Sequence, residues 1–516
     1  MANHPVPLNL PALALSVLLA VLVLGTALAL AWHADSFVLR NSDWSAFAFT
    51  LKQAALSALV STVLAIPIAR ALARQRFVGR GAMVALMGVP FLLPVVVAVV
   101  GMLSVYGRHG IANQILGALG LPQVSIFGLQ GVVLTNVFFN LPLVTRIFLN
   151  GWSAIPAERM RLAETLHLPP NAFARHIELP MLRDVLPGAF VVVFLVCMSS
   201  FVVSLTFGGG PRATTLELAI YQAVRFDFDL GRAAVLAGLQ FITCAVVVVL
   251  AGQFTRAAQF GSGLDRVQAF AHSGGWRRAL DALLLGMTAL FLALPLVMVV
   301  LSGLPSLTDL PPAVWHAALR SLLVAVVSAA LATSAALCLA LAVARGAKGA
   351  RWIQFAAMLP LAASGLVLGT GLFLVVHPLV SPESLALPVT IAVNVMIALP
   401  FLFRLLLPEA RALHAGFDRM CSTLGLKGAA RLRFVTLPRL ARPLGLGAGI
   451  AAALSMGDLG VITLFAAEDS ATLPLMVQRL AGAYRMDQAA AASLVLIVGS
   501  FALFWACDAG GRHAAP

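Results

Sequence analysis

Long apolar runs, separated by short polar stretches, alternate from one end of this chain to the other. The first run covers Pro11–Trp32. Others lie at about 54–69, 82–106, 128–145, 186–207 and 233–254, and a second set at about 282–304, 321–344, 353–376, 384–403, 444–466 and 488–507. Each is close to the ~20 residues a helix needs to cross the hydrocarbon of a bilayer. The pattern predicts an all-α membrane protein of about twelve transmembrane helices. No Lys or Arg precedes the first run, and a cleaved leader wants a basic start and a shorter apolar core, so that run is expected to be a retained span.

Two polar islands interrupt the pattern. The stretch Glu158–Arg183, ERMRLAETLHLPPNAFARHIELPMLR, reads as helix, turn, helix. Pro156 suits a first turn, Met160, Ala163 and Leu166 recur on one face, and Pro169-Pro170 breaks the helix with Asn171 placed to cap the next. That second helix, carrying Phe173 and Ile177, is expected to stop before Leu179-Pro180. The pattern returns in 417–440, with Pro180 and Pro438 258 positions apart (438 − 180). Asn136, Leu141-Pro142 and Arg146 recur at the same offset as Asn394, Leu399-Pro400 and Arg404, and Pro90 and Gly101 are spaced like Pro360 and Gly371. Chance likeness between apolar segments explains one Leu-Pro pair but not two polar-apolar patterns sharing one offset. Six spans separate equivalent points, so the reading is two halves of the same orientation, related by a pseudo-twofold axis along the membrane normal with a pathway between them.

Composition adds three things. With 61% hydrophobic and 10% charged residues and a mean hydropathy of +0.98, the 516-residue chain is no soluble globule, since soluble domains carry about a quarter charged residues. The net charge of +14 comes from Arg clusters between apolar runs, which marks cytoplasmic loops rather than a nucleic-acid-binding face. Those clusters include Arg70, Arg74, Arg76 and Arg80, then Arg146 to Arg183, then Arg256, Arg266, Arg277 and Arg278, with Arg345, Lys348 and Arg351 and the stretch Arg404 to Arg442 in the second half. The opposite side is sparse, with Arg40, Arg108, Arg212, Arg225, Arg479 and Arg485, which places both termini in the cytoplasm. The five cysteines form no CxxC pair and the histidines no i, i+4 pair, so neither a disulfide nor a metal site is expected.

The three lysines, Lys52, Lys348 and Lys427, do not follow a phosphate-cradling GxxxxG, so any ATP chemistry belongs to another polypeptide. Ion-coupled carriers usually keep several ionisable groups in the membrane, and here only Asp458, between Gly457 and Gly460, lies well inside an expected span.

The two polar islands resemble the cytoplasmic loop of binding-protein-dependent ABC importer permeases: a Gly, nine residues, then I-x-L-P. Gly425 with Val435-Thr436-Leu437-Pro438 fits it, and Ile177-Glu178-Leu179-Pro180 fits with His167 in place of Gly. The acid-Ala-Ala portion is altered in both, to Arg161-Leu162-Ala163 and Arg419-Met420-Cys421. A closer resemblance, to the fused permease of bacterial thiamine and thiamine pyrophosphate importers, covers nearly the whole chain. It rests on Leu103-Ser104-Val105-Tyr106-Gly107-Arg108, Gly128-Leu129-Gln130-Gly131, Val137 to Pro142, Gly208-Gly209-Gly210-Pro211, the stretch Thr214 to Ala223, and Gly457-Asp458.

The resemblance implies two parallel six-helix type-I ABC importer permease repeats. It divides the chain into an N-terminal transmembrane helix and periplasmic link (1–46), a first permease domain (47–256), a linker and helix (257–313), a second permease domain (314–508) and a cytoplasmic tail (509–516). It implies an inner-membrane subunit with no cofactor and no catalytic residue of its own, two copies of a cytoplasmic ATP-binding subunit and a periplasmic thiamine-binding protein as partners, and no nucleic acid. Ala163, His167, Ile177, Leu179, Pro180, Gly425, Val435, Leu437 and Pro438 are the expected ATPase-coupling positions. Asp458, Tyr106 and Tyr221 are candidates for the substrate path, because a thiazolium cation and a flat pyrimidine suit a carboxylate and aromatic faces. The tyrosines equally suit an interfacial belt, and Asp458 a structural role between glycines. Glu217, Arg225, Asp227 and Asp229 are expected to face the binding protein or solvent, and Arg212 solvent. A fused permease for ferric iron, a twelve-span secondary carrier and a membrane scaffold are the rival readings.

Overall fold

The computed structural model describes residues 10–33, 39–75, 77–208, 210, 213–254, 275–467 and 469–514; Arg76, Gly209, Pro211, Arg212, Arg256 and Arg266 lie outside them. Every regular element among these residues is a helix. The principal ones are α1 (Leu10–Trp32), α2 (Asn41–Arg74), α3 (Val95–Tyr106), α4 (Leu129–Ser153), α5 (Leu179–Met198), α6 (Leu216–Arg225) and α7 (Leu230–Phe254). They are followed by α8 (Gly275–Gly303), α9 (Pro312–Ala344), α10 (Gly365–Val376), α11 (Ala386–Thr423), α12 (Leu437–Met456), α13 (Leu473–Gly482) and α14 (Met486–His513). Among the described residues, ten helices are long and apolar enough to cross a membrane, or eleven if the pair Ala350–Ala362 and Gly365–Val376, bent by 96°, is one span. The twelfth expected span, 444–466, meets α12, whose first turns carry Arg439 and Arg442 and whose interior is rich in Gly and Ala. Lipid contact does not have to hold such a helix, because α2's counterpart α9 and helices α11 and α14 cover it.

The element order of α2 to α7 recurs from α9 to α14, and so do individual contacts. The Thr50 hydroxyl on α2 accepts the first amide of α6, from Leu216, at 2.8 Å, and the Ser321 hydroxyl on α9 accepts the first amide of α13, from Leu473, also at 2.8 Å. Each closes a helix N-terminus whose amide has no partner within its own helix.

The helix preceding each half crosses to the other half. α1 packs on α10 and α9, while α8 packs on α3 and α14. The two glycines that share a spacing in the sequence are the crossing points. A Cβ on Gly101 would stand 2.6 Å from the Pro295 carbonyl oxygen of α8, and one on Gly371 would stand 2.6 Å from Thr26 Cβ of α1. Glycine lets the helix backbones approach where hydrocarbon offers no hydrophobic force to pull them together. The two large buried clusters accordingly mix the halves: Leu285, Leu292 and Val299 of α8 join the core of the first, and Leu19, Val23 and Leu30 of α1 join that of the second.

Several expected spans are broken rather than continuous. The run at 82–106 is divided into Arg80–Leu86, Val89–Leu92 and α3, where Pro94 stands at the start of α3 without an amide to donate. The run at 186–207 ends as α5 at Met198 and restarts at Phe201, and 444–466 ends as α12 at Met456 and restarts at Ile462. Broken backbone at membrane depth has to be satisfied by protein. At the break after Met198, Gln53 Nε2 donates to the Cys197 carbonyl at 2.7 Å and Gln240 Nε2 to the Met198 carbonyl at 3.0 Å. Asn136 in turn donates to Gln53 Oε1 at 2.9 Å, so a buried amide chain caps the end of α5. The last helix, α14, runs on to His513, through the point where a tail was expected to begin.

Candidate functional site

The first polar island opens with the helix Ala157–Thr165, which buries Met160 and Ala163; Leu166, expected on the same face, is exposed. The helix stops in a left-handed turn at His167, φ 47°, and the Leu168 amide reaches back to the Ala163 carbonyl at 3.1 Å. The second island repeats this geometry 258 residues on: Gly425 has φ 67°, and the Leu426 amide reaches the Cys421 carbonyl at 2.9 Å. This six-to-one closure needs a left-handed residue just past the helix, a position glycine takes without strain and an L side chain takes at a cost of roughly 1–2 kcal/mol. His167 and Gly425 thus do the same backbone task.

Two local expectations are corrected. Asn171 does not cap the second helix; the short helix Pro170–Phe173 begins one residue earlier, with a proline in its first position, where a missing amide costs nothing. The helix also does not stop before Leu179-Pro180. A wide five-residue turn, Ala174–Glu178, leads straight into α5 with Pro180 in its first turn, and Leu432–Thr436 leads into α12 in the same way. Proline clashes with the carbonyl four residues before it, and widening the turn moves that carbonyl away.

Burial divides the loop residues into an anchored and an offered set. Ala163 and Val435 are buried and Ile177 half-buried, whereas His167, Pro180 and Gly425 are exposed, Pro438 is partly so, and Leu179 and Leu437 stand out in the open. Leu162 and Leu166 of the first loop and Met420, Leu424 and Phe434 of the second are also exposed. Around them lie the exposed cations Arg159, Arg161 and Arg175, and Arg419, Lys427 and Arg433. Each loop therefore presents apolar knobs in a basic frame, the composition of a helix-in-groove contact with an acidic-rimmed partner.

The sequence reading missed what holds the first loop down. Glu178, the last residue of the wide turn, is 3% exposed and takes Arg74 at 2.7 Å, Arg70 at 2.9 Å and the Trp152 indole N–H at 3.3 Å. It ties the loop to the ends of α2 and α4. The second loop has Thr436 at this position and is braced instead by Asp418, which takes Arg431 at 2.7 Å. The signal was available in the sequence as an acid beside Leu179-Pro180, with Arg70 and Arg74 a helical turn apart, but nothing in the spacing paired them.

The candidate path residues are placed unevenly. Tyr106, half-buried, packs against the first cluster, and Tyr221 against the second. Tyr484 is almost wholly exposed on the turn before α14. Asp458 lies just past the end of α12, with Oδ1 accepting the Gly460 amide at 3.2 Å and Oδ2 buried without a hydrogen-bond partner. Gly457 beside it abuts Pro94 of the other half, where a Cβ would stand 3.0 Å from Pro94 Cα. The helix break is thus at the seam between halves.

Glu217 is a correction. It was expected to face solvent or a receptor, yet it is 1% exposed, because α6 turns its first residues inward and packs on α10 of the other half. Asp227 and Asp229, beyond the end of α6, do lie toward solvent: Asp227 pairs with Arg232 at 3.1 Å and Asp229 with Arg40 at 3.1 Å. Arg232 also holds the buried Asp43 at 2.7 Å, and Arg225 donates to the Ala466 carbonyl at 3.3 Å. A cavity of about 460 Å³ lies beside Ser42, Ser204, Leu218 and Arg232, and its lining residues come from the first half.

No family model matches the chain. The chain is 38% identical over 506 residues to the thiamine transport system permease protein ThiP of Brucella abortus (strain 2308), covering 95% of this chain and 93% of that protein. It is 36% identical over 518 residues to the ThiP of Escherichia coli (strain K12), covering 96% of this chain and 95% of that one. The molybdenum transport system permease protein ModB of Azotobacter vinelandii is 31% identical over 182 residues, which is 35% of this chain and 80% of ModB.

Proposed function

This chain belongs to the family of thiamine transport system permease proteins, the membrane-spanning subunits of ABC importers, and from that premise we propose that it moves thiamine and its phosphorylated forms from periplasm to cytoplasm at the expense of ATP hydrolysed by separate subunits. In this reading the protein sits in the bacterial inner membrane with both termini in the cytoplasm. Two copies of an ATP-binding subunit grip the loops around His167 and Gly425, and a periplasmic thiamine-binding protein delivers substrate at the opposite end.

The observation that carries the reading is the pair of loops. Each closes on a left-handed residue, each passes through a wide turn into a proline-started helix, and each offers apolar side chains framed by arginines. Two such handles fit a twofold motor. Because the wide turn is continuous with α5 or α12, a push on a loop passes along a rigid helix to the breaks at Ser199-Ser200 and Gly457-Asp458. The second of these breaks lies at the seam against Pro94, so closure of the ATPase pair rocks the halves about it. Ala163, Ile177 and Val435 seat the loops, while Leu179, Leu437 and the prolines Pro180 and Pro438 set their exit; Asp458, Tyr106 and Tyr221 are the path residues proposed.

Copurification tests this. The chain, extracted in detergent with its tagged ATPase, is expected to keep the ATPase when Tyr221 is changed and to lose it when Pro438 or Gly425 is disrupted. Equal retention by all variants removes the loop assignment. Uptake of labelled thiamine that persists at full rate without the ATPase removes the importer reading and favours a secondary carrier. Loss of ferric iron uptake, with thiamine uptake intact, on deleting the gene reassigns the substrate.

A further inference from the structure

Glu217 has no role in the account so far, and its surroundings give it one. The residue is 1% exposed, its Oε1 has no hydrogen-bond partner, and among the described residues no cation pairs with it. An ionised carboxylate left this way costs several kcal/mol unless something compensates it. Part of the compensation comes from the other half. Ser364 caps α10, its Oγ accepting the Val367 amide at 3.3 Å, and its hydroxyl and the Phe201 backbone amide are the polar neighbours of the Glu217 carboxyl. The carboxylate therefore sits at the positive end of α10, which favours an anion without neutralising it.

The neighbouring groups are aromatic. Tyr221 follows Glu217 by one helical turn on the same face of α6, and its ring meets the Phe201 ring at 5.3 Å and the Phe226 ring at 5.7 Å. Asp458 is linked to this point through contacts within the second half. Gly365, next to Ser364, has its Cβ position 3.8 Å from Val461 Cγ2, and the Val461 amide faces the Asp458 carboxyl, whose Oδ2 also lacks a partner. Two carboxylates with unmet oxygens and a cluster of ring edges thus border the contact between halves; Arg225 and Arg479 stand near Tyr221, but among the described residues no cation pairs with either carboxylate.

We propose that Glu217, flanked by Tyr221 and Phe201 and facing the Asp458 side of the seam, forms a recognition site for a flat organic cation in transit between the halves. A permanently charged aromatic ring supplies what neither carboxylate has, a paired positive charge, together with a face for the rings. Glu217 thereby discriminates on charge inside the membrane, a second selection after the one made outside it. The inference rests on the thiamine reading above, since the thiazolium ring is such a cation.

The complete complex of permease, ATPase and binding protein is reconstituted in liposomes. Uptake of labelled thiamine is measured with thiamine and its neutral thiazolone analogue as competitors. Removing a charge-assisted contact predicts that Glu217→Gln weakens the thiamine KM by about tenfold to a hundredfold. The preference for thiamine over the thiazolone falls toward unity, while ATPase association and the melting temperature stay unchanged. A purely structural Glu217 moves the melting temperature and leaves the preference where it was, and that result overturns the proposal. Should Glu217→Gln fail to assemble, Glu217→Asp decides: it keeps the charge and withdraws it by one methylene, so an unchanged KM overturns the proposal and a raised KM with preference retained supports it. A wild-type complex that takes up no thiamine defeats the thiamine reading itself, whereas wild-type uptake with an indifferent Glu217→Gln defeats only the site.

Discussion

Replacing Glu178 with Ala is the sharpest test of how the first loop is held. The wild-type carboxylate is 3% exposed and gathers three donors, Arg74 at 2.7 Å, Arg70 at 2.9 Å and Trp152 at 3.3 Å. Removing one partner of a buried charge network costs roughly 3–5 kcal/mol, because the opposite charges lose their compensation. Here the lower end applies. The Arg70 side chain is 38% exposed and that of Arg74 21%, so water can take over part of what Glu178 supplied. A cost of about 3 kcal/mol corresponds to a shift of somewhat more than a hundredfold in the local equilibrium that seats the loop. Glu178→Gln keeps the shape and the acceptor for Trp152 and loses only the charge, so its effect is smaller, about 1–2 kcal/mol.

The assay is hydrogen exchange over residues 157–178 in the detergent-purified chain, with ATPase retention measured in parallel. Exchange in this segment is expected to rise steeply in Glu178→Ala, modestly in Glu178→Gln, and not at all over 417–436, which Asp418 and Arg431 brace independently. Equal protection of 157–178 in the wild type and both variants refutes the anchoring argument. Equal loss over both loops refutes its locality.

The remaining predictions concern backbone rather than charge. Gly425→Ala puts a Cβ on a residue at φ 67° and is expected to cost roughly 1–2 kcal/mol, whereas His167→Gly relieves strain at φ 47° and leaves ATPase retention at least as high; retention assays on both variants check the sign. Gly101→Val places side-chain atoms where a Cβ alone already stands 2.6 Å from the Pro295 carbonyl, so the crossing of α3 and α8 must open, and a fall in melting temperature comparable to that of Gly371→Val is expected. Gln53→Leu strips the 2.7 Å donor from the Cys197 carbonyl and breaks its link to Asn136, with a cost of about 1–3 kcal/mol read as a lower melting temperature.

The loops show how far pattern alone reaches. An apolar-polar alternation with a fixed offset located both islands and their Leu-Pro ends, because these are local properties of a few residues along the backbone. It failed where local rules compete. Leu179-Pro180 read as a helix stop, and a wide turn instead absorbs the proline ring, as it does before Pro438; Asn171 read as a cap, and Pro170 starts the helix first.

What the sequence by itself determined is the class of the molecule: helical spans, a duplicated unit and two basic-framed loops all follow from hydrophobicity, periodicity and turn chemistry that each segment carries alone. Tertiary structure decided the rest. Only packing reveals that α1 and α8 cross to the opposite halves at Gly371 and Gly101, that Glu178 gathers two arginines from α2, and that Glu217 turns inward to the seam. The reason is physical: a carboxylate on an amphipathic turn looks the same in sequence whether it meets water or a neighbouring helix, and which of the two it meets is set by residues far away along the chain.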